Sequence, residues 1–246
     1  MPVTIGPGWT IGPGWSIASG PVNGSVQFNG SNYLSVAGNT STAMGTSDFT
    51  WESWVYPTSS TDYQCFIDTR TQPLEGGDDT GFFFGTNLNT LAPIYYTTNL
   101  QLESTVSITL NAWNHVALTR NSGTVTLWVN GVSGGTQSNA TDLTEQRVFV
   151  GGDGLGAALN LTGYISNLRM VKGVAVYQGT FTPSATNLTA TQLANVNGNP
   201  SLAITGTQTS VLLNTYSGAD FLTDASANNF TVTNNGGVTS NTLTPF

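Results

Sequence analysis

The sequence predicts an all-β protein, a two-sheet antiparallel jelly-roll β-sandwich with an extended N-terminal arm. Apolar and polar residues alternate in many short runs, and glycine or asparagine interrupts these runs roughly every 8 to 15 residues. No stretch of about twelve residues repeats with the helical period. The best helical candidate, TATQLANVNG (189–198), has room for one or two turns. The predicted sheets therefore contain most of the regular structure.

The run DFTWESWVYP shows the clearest two-sided pattern. Because successive strand residues point to opposite faces, it predicts one face of Phe49, Trp51 and Val55. The opposite face then carries Thr50, Glu52, Trp54 and Tyr56. Further strands are predicted in SVQFNGSNYLSVAG, RVFVGG, TGYISNLRMV, TSVLLNTYS and NNFTVTNNGG.

The segment HVALTRNSGTVTLWVNGVSGG predicts consecutive antiparallel strands. Val116 and Leu118 alternate with polar residues, the chain turns at 121–123, and Val125, Leu127 and Val129 alternate again. The Asn130-Gly131 pair follows, and this is the sequence that a two-residue type I′ turn requires. The segment is therefore predicted to form two tight hairpins in series.

The chain opens with a repeat, IGPGWTIGPGWSI, in residues 5–17. Proline and flanking glycine exclude a helix, so residues 1–20 are predicted to form an extended arm before one domain at residues 21–246. In an extended chain Trp9 and Trp15 would lie about 19 Å apart, each accompanied by an isoleucine, Ile5 or Ile11. The arm either packs on its own domain or inserts into a neighbouring subunit.

The composition excludes several classes of partner. Only 7% of the 246 residues are charged and the net charge is −8, whereas ordinary globular proteins have about a quarter charged residues. With one lysine, Lys172, and four arginines, the chain cannot form the basic patch that nucleic acid or an anionic membrane requires. No apolar run reaches the roughly 18 residues of a membrane span. Cys65 is the only cysteine and is predicted to be a buried small hydrophobe.

Several motifs together carry a family resemblance. They are AWNHVALTRNSGTVTLWVNGV, VQFNGSNYLSV, GTSDFTWESWVYP and LTGYISNLRMVKGVAVYQGTFTP. In these motifs the chain resembles the laminin-G-like, concanavalin A-like jelly-roll superfamily over most of residues 22–246. The last motif is similar to versions found in virion proteins of tailed phages, especially marine cyanophages. A segment like SVLLNTYSGADFLTDASANNFTVTNNGGV precedes the first strands in many members but follows them here, so we expect the last strands to pair beside the first.

The resemblance implies a non-enzymatic virion structural protein. It would be displayed on the surface of the particle as a capsid decoration or a fibre-like component, with other capsid or tail proteins and its own copies as partners. The arm would then be the assembly element. A host cell-surface glycan is a further expected ligand. The alternatives are a receptor-binding lectin at the tail tip and an extracellular glycan hydrolase.

The distribution of acidic residues disfavours the hydrolase. Related endoglucanases place carboxylates in the pattern Glu-x-Asp-x-x-Glu on one strand, and retaining hydrolysis needs two carboxyl groups about 5 to 5.5 Å apart. Here Glu52 stands without an aspartate two residues away. His115 is the only histidine and lies in no Ser-His-Asp pattern, so we interpret it as a structural polar residue.

Two glycine-rich loops contain aspartates that would suit calcium, which prefers several oxygen ligands. In pentraxin and laminin-G relatives, acidic residues in comparable loops hold calcium. The resemblance therefore implies a calcium site formed by Asp78, Asp79 and Asp153. The alternative is that all three are turn aspartates, a common role for this residue.

Glycan binding would use aromatic side chains. Many members of the family bind sugars on a sheet or on edge loops, and an exposed aromatic ring can stack on a pyranose. The candidates in this sequence are Trp54, Trp128, Tyr95 and Tyr96. Each of these rings could instead pack beneath a loop.

Overall fold

A computed structural model describes residues 23–71, 80–97, 100–156, 159–195, 201–214, 216 and 220–246. In these residues the chain forms two antiparallel sheets, so the predicted all-β sandwich is confirmed. Regular helix is limited in this part of the chain to a 3-10 turn at Asp220–Leu222. No helix in the described ranges is long and apolar enough to cross a membrane. The N-terminal arm lies outside the described residues.

The first sheet contains eight of the described strands. Their order is β10-β9-β8-β3-β12-β1-β15, and β13 also pairs with β12. The strands are β1 (Ser25–Asn29), β3 (Phe49–Pro57), β8 (Asn114–Asn121), β9 (Thr124–Val129), β10 (Val132–Ser138), β12 (Thr162–Lys172), β13 (Thr209–Leu213) and β15 (Thr239–Asn241).

The second sheet contains seven of them, in the order β14-β2-β11-β4-β5-β6-β7. The strands are β2 (Tyr33–Val36), β4 (Gln64–Asp68), β5 (Phe83–Thr86), β6 (Pro93–Thr97), β7 (Leu100–Glu103), β11 (Val148–Val150) and β14 (Val232–Asn235).

The main core lies between the two sheets. As predicted, Phe49, Trp51 and Val55 of β3 point into it, and each is at most 1% exposed. Trp51 meets Phe84 of the opposite sheet edge to face, with ring centroids 5.0 Å apart. Alternate residues of β8 and β9 join the same core. Burying aromatic side chains of this size provides much of the favourable free energy of folding.

The two predicted hairpins are present. Asn121 pairs with Thr124 across the first turn, and Val129 pairs with Val132 across the second. In the second turn Asn130 and Gly131 have φ angles of 50° and 79°, as a type I′ turn requires. The amide of Phe181 donates to the Gly131 carbonyl over 3.0 Å, so this turn is held from outside its own hairpin.

The last strands pair beside the first, as expected from the sequence. β15 pairs with β1 and β14 pairs with β2, so the C-terminal segment contributes one strand to each sheet. The strand β12 is central to the first sheet. It pairs with β3 on one side, and on its other side with β1 near its start and β13 near its end.

A second apolar cluster lies on the outer face of the eight-stranded sheet. The chain after β12 returns across this face at residues 174–181 and covers part of it, and we call these residues the covering segment. The buried members are Ala117, Trp128, Val171, Val174, Val176, Tyr177, Phe181 and Ile204. The sheet is therefore buried on both sides at one end, while the rest of its outer face is partly open.

Candidate functional site

Five partly exposed aromatic side chains group on the open part of the outer face of the eight-stranded sheet. We call this group the aromatic patch. Its members are Trp54, Tyr56, Trp113, Tyr164 and Phe246. Trp54 and Tyr56 are on the outward side of β3, and Tyr164 lies opposite Tyr56 on β12. The alternation that buries Trp51 therefore presents Trp54 and Tyr56 outward.

The rings of the aromatic patch hold one another in edge-to-face contacts. Tyr56 lies 5.5 Å from Trp113 and 5.7 Å from Tyr164, measured between ring centroids. Trp54 lies 6.4 Å from Phe246 and 5.4 Å from the buried His115 ring. Such pairs add to the stability gained from burial. The rings are consequently fixed in position before any ligand binds.

Next to the aromatic patch, a carboxylate is fully buried under the covering segment. Glu52 Oε1 accepts hydrogen bonds from Arg169 Nε over 2.9 Å and from Nη2 over 2.5 Å. Its Oε2 accepts one from the Tyr177 hydroxyl over 2.6 Å and lies 3.2 Å from His115 Nε2. We call Glu52, His115, Arg169 and Tyr177 the buried charge network.

The network holds Glu52 in its ionised form. Burial raises the pKa of Glu52, but the charge of Arg169 and the hydrogen bonds from His115 and Tyr177 outweigh it, and the pKa falls from 4.5 to about 2. Burial and the charge of Glu52 raise the pKa of the Tyr177 hydroxyl well above its ordinary value. Glu52 is therefore ionised at neutral pH. It has no proton to donate, as a general acid must.

A polar cavity of about 290 Å³ opens on the far side of Arg169. It lies between β12 and the loops that follow the covering segment. The residues lining it are Arg169, Tyr177, Thr182, Ser184, Thr186, Asn187, Leu188, Thr189, Thr191, Gln192, Leu193 and Ser201. Most of these residues carry a hydroxyl or amide group, so the cavity offers many hydrogen-bond donors and acceptors.

An irregularity in β12 holds the cavity loop in place. The pairing with β3 shifts between Ser166 and Arg169, and Asn167 within this shift has a φ of 54°. The Asn167 Oδ1 atom then accepts a hydrogen bond from the Leu188 amide over 2.9 Å. Arg169 Nη1 donates to the Thr189 carbonyl over 3.0 Å. A β-bulge commonly redirects side chains in this way, and here it fixes one cavity wall to the sheet.

Two of the four predicted sugar-stacking residues are buried, so the prediction of exposed rings is wrong for them. Tyr95 is 0% exposed because it points into the main core, where its hydroxyl accepts a hydrogen bond from Asn139. Trp128 is 5% exposed, since its ring packs against Phe181 and its indole N–H donates to Thr119.

The other two candidates do not share a site. Trp54 is part of the aromatic patch on the eight-stranded sheet. Tyr96 is partly buried on the outer side of β6, in the other sheet, where it packs against a small cluster that includes Phe83 and Ile94. The four aromatics named from the sequence are therefore dispersed over both sheets and the core.

Of the predicted calcium ligands, Asp78 and Asp79 lie outside the described residues, as do Trp9, Trp15, Ile5 and Ile11 of the arm. Asp153 is 1% exposed and accepts a hydrogen bond from the Leu155 amide over 3.2 Å, which is a turn contact. Across the parts of the chain that the structure describes, no three His, Cys, Asp or Glu side chains gather as metal ligands. The calcium site stays a prediction.

A second acidic residue, Asp68, lies near Asp153 on the outer side of the seven-stranded sheet. Asp68 pairs there with Arg70 over 2.5 Å. Burial and, to a smaller degree, the charge of Asp153 raise the pKa of Asp68 from 3.8 to about 6, although Arg70 opposes the change. Burial also raises the pKa of the Cys65 thiol, which is 0% exposed as predicted. Asp68 and Asp153 thus bring two acidic groups together, and Arg70 neutralises part of their negative charge.

Sequence reasoning missed most of the aromatic patch and all of the polar cavity. Tyr56 was placed on the same strand face as Trp54 but was not named as a sugar contact. Tyr164 alternates with core residues in the same way, so it could have been assigned to the outer face. Nothing in the sequence placed Trp113 or Phe246 beside them. The cavity depends on loops without a repeating pattern, which sequence periodicity does not describe.

Comparison with known proteins identifies the fold. A family profile described as the concanavalin A-like lectin/glucanases superfamily matches residues 28–178. No curated protein sequence matches the chain. A candidate carbohydrate-binding protein from Bacteroides ovatus is similar over 91% of this chain, with a TM-score of 0.58 and 16% identity. The chain spans 60% of the length of that protein.

A second solved structure is the CBM40 of the IT-sialidase of Ruminococcus gnavus, bound to α2,3-sialyllactose. It is 16% identical, with a TM-score of 0.50, and the match covers 64% of this chain and 92% of that one. At these levels of identity the likeness concerns the fold.

Proposed function

Because the chain belongs to the concanavalin A-like lectin/glucanases superfamily, we propose that it is a non-enzymatic glycan-binding protein. The observation that carries the proposal is the aromatic patch, in which five rings are partly exposed and fixed by edge-to-face contacts. Aromatic side chains that cluster on a protein surface commonly mark a binding surface.

The patch has the chemistry that an uncharged sugar chain needs. Each pyranose has an apolar C–H face that can pack on an aromatic ring, while its hydroxyls remain solvated at the edge. Aromatic side chains lose little conformational entropy on binding, since two torsions define them. The acidic net charge of −8 favours neutral over anionic glycans.

The experiment compares variants on a panel of neutral polysaccharides. Retention would be measured by affinity electrophoresis for the wild type, Trp54→Ala, Tyr56→Ala and the control Tyr96→Ala on the other sheet. We expect the two patch variants to weaken binding about tenfold, which is about 1.4 kcal/mol. Equal retention by all four proteins would contradict the proposal.

The proposal that the protein is not an enzyme rests on Glu52. Its two carboxylate oxygens already accept hydrogen bonds from Arg169 and Tyr177, and it is fully buried. Release of reducing ends from β-glucans, galactans or lipopolysaccharide, lost in Glu52→Gln, would show that the domain is a hydrolase.

We further propose that the domain is displayed on the surface of a virion. The resemblance of LTGYISNLRMVKGVAVYQGTFTP to tailed-phage virion proteins supports this role, as does a surface with few charges. Gold-labelled antibody on intact particles would distinguish the alternatives. Label over the capsid or along a fibre fits a structural component, label confined to the tail tip favours the receptor-binding lectin, and unlabelled particles would contradict virion display.

A further inference from the structure

We propose that the polar cavity is a second sugar subsite, which takes one neutral monosaccharide unit at the end or branch of a glycan. The inference rests on the proposed glycan-binding function and adds a separate site with its own chemistry. The cavity and the aromatic patch lie on the same outer face, on either side of the buried charge network. One glycan could therefore contact both.

The size of the cavity suits a single sugar ring. Its volume is about 290 Å³, at the lower end of the range of small-molecule pockets. Threonine, serine, asparagine and glutamine side chains form most of the lining, with Tyr177 and Leu188 as apolar surface. A ring with several hydroxyls and one apolar face matches this mixture of groups.

One polar group at the cavity has hydrogen-bonding capacity that the described protein atoms do not use. Ser201 is 4% exposed and lines the cavity, and its Oγ has no partner among the described residues. Arg169 also lines the cavity, but it is already engaged with Glu52, Thr189, Gln192 and Tyr177. Buried polar groups normally have partners, so the Ser201 hydroxyl indicates a polar ligand.

The charge balance selects a neutral sugar. Arg169 is the only charged residue among those identified as lining the cavity. Its guanidinium is paired with the Glu52 carboxylate over 2.5 Å, so the two charges cancel within the buried charge network. An acidic sugar would bring an uncompensated negative charge into this site, which is costly in a partly buried environment. We therefore expect exclusion of sialic acid and sulfated sugars.

The test uses free monosaccharides, which are too small to span both sites. Glucose, galactose, mannose, N-acetylglucosamine and N-acetylneuraminic acid would each be titrated into the full-length protein by ligand-observed NMR. The variants are Ser201→Ala and the cavity-filling Ser201→Val. Ser25→Ala is the matched control, because Ser25 Oγ is also buried without a partner among the described residues but does not line the cavity. Thermal melts would confirm that each variant is folded.

We expect at least one neutral monosaccharide to bind the wild type and Ser25→Ala equally. Its affinity should fall about tenfold in both Ser201 variants and stay unchanged in Trp54→Ala. A preference for N-acetylneuraminic acid, unchanged binding in Ser201→Val, or no monosaccharide binding would each overturn the inference. If polysaccharide retention still depends on Trp54 in that case, the proposed function stands. If monosaccharides bind at Ser201 while Trp54→Ala has no effect on polysaccharide binding, the aromatic patch is not the glycan site. The assignment of the polar cavity as a sugar subsite then remains.

Discussion

Glu52 shows what one buried side chain requires from distant parts of the chain. Its partners Arg169 and Tyr177 lie 117 and 125 positions away in sequence. From the sequence alone Glu52 was a solitary acid in a strand, and this was enough to disfavour hydrolysis. The sequence could not show what compensates its charge, because the partners come from β12 and from the segment that covers the sheet.

The depressed pKa predicts how Glu52 contributes to stability. Its pKa is about 2 in the folded protein and 4.5 ordinarily, so the folded state favours the ionised form. This contribution, about 3 kcal/mol, is fully present above the unfolded pKa and disappears as the pH falls from about 5 to 2. Urea midpoints measured at several pH values for the wild type and Glu52→Gln would show it.

We expect Glu52→Gln to lose about 3–5 kcal/mol at pH 7, because Arg169 is left buried without its counter-ion. Its stability should also depend less on pH between 5 and 2. The control is Glu103→Gln, at an exposed position of β7, which should behave like the wild type. An acid dependence in Glu52→Gln as steep as that of the wild type would contradict the assignment.

At the level of elements, the turn between β9 and β10 links the hairpin to the covering segment. Gly131 has a φ of +79°, and a Cβ there would lie 1.7 Å from the Phe181 carbonyl oxygen. The glycine is needed for its backbone conformation and also for the close approach of Phe181. Asn130-Gly131 predicted the turn but not this contact.

Gly131→Ala and Gly173→Ala separate these two requirements. Gly173 has a φ of +87°, and a Cβ added to it would meet no atom within 4 Å, so its substitution tests conformation alone. We expect a loss of roughly 1–2 kcal/mol for Gly173→Ala and at least about twice that for Gly131→Ala, since Phe181 must move. Chemical denaturation measures both. Similar losses would mean that the covering segment adjusts freely.

The arm remains a prediction about assembly. The start of the domain, just after the arm, is held to the first sheet because the Gly24 carbonyl accepts a hydrogen bond from the Ser166 hydroxyl over 2.7 Å. Deleting residues 2–17 should leave a folded, soluble domain that no longer enters the particle or its oligomer. The reason is that two tryptophans, once buried in a neighbouring subunit, would supply roughly 7–12 kcal/mol at about 25 cal/mol per Å², before ordering costs.

Size-exclusion chromatography and particle incorporation would measure the effect of this deletion. The double variant Trp9→Ala/Trp15→Ala is the matched control, as it keeps the length of the arm. A truncated protein that loses several degrees of melting temperature yet still assembles would show that the arm packs on its own domain.

For the whole molecule, the alternating pattern was sufficient to predict the sandwich. Val116, Leu118, Val125 and Leu127 all point into the predicted core. The pattern could not assign strands to sheets, so Trp54 and Tyr96 were grouped although they lie on different sheets. It also did not predict that the covering segment and Ile204 pack on an outer face, because that segment has neither a strand period nor a helical one.

Calcium binding would act on the whole domain. If Asp153 and Asp78 or Asp79 hold the ion, calcium at a hundredfold excess over its dissociation constant should stabilise the fold by about 2.7 kcal/mol. Melting curves with calcium and with chelator would show this, and Asp153→Asn should abolish the difference. Asp142→Asn, at an exposed position, is the control. Identical curves for the wild type in both conditions would leave these aspartates as turn residues.

The pairing of β15 with β1 and of β14 with β2 has a consequence for the order of folding. Asn241 bonds to Gln27 across 214 positions, so this ladder can form only after nearly the whole domain has been synthesised. Until then β1 and β2 present unpaired edges, one on each sheet, which favour association between chains. Contacts of such sequence separation also slow folding. A nascent chain therefore depends on its final strands to close both sheets before neighbouring chains can add to them.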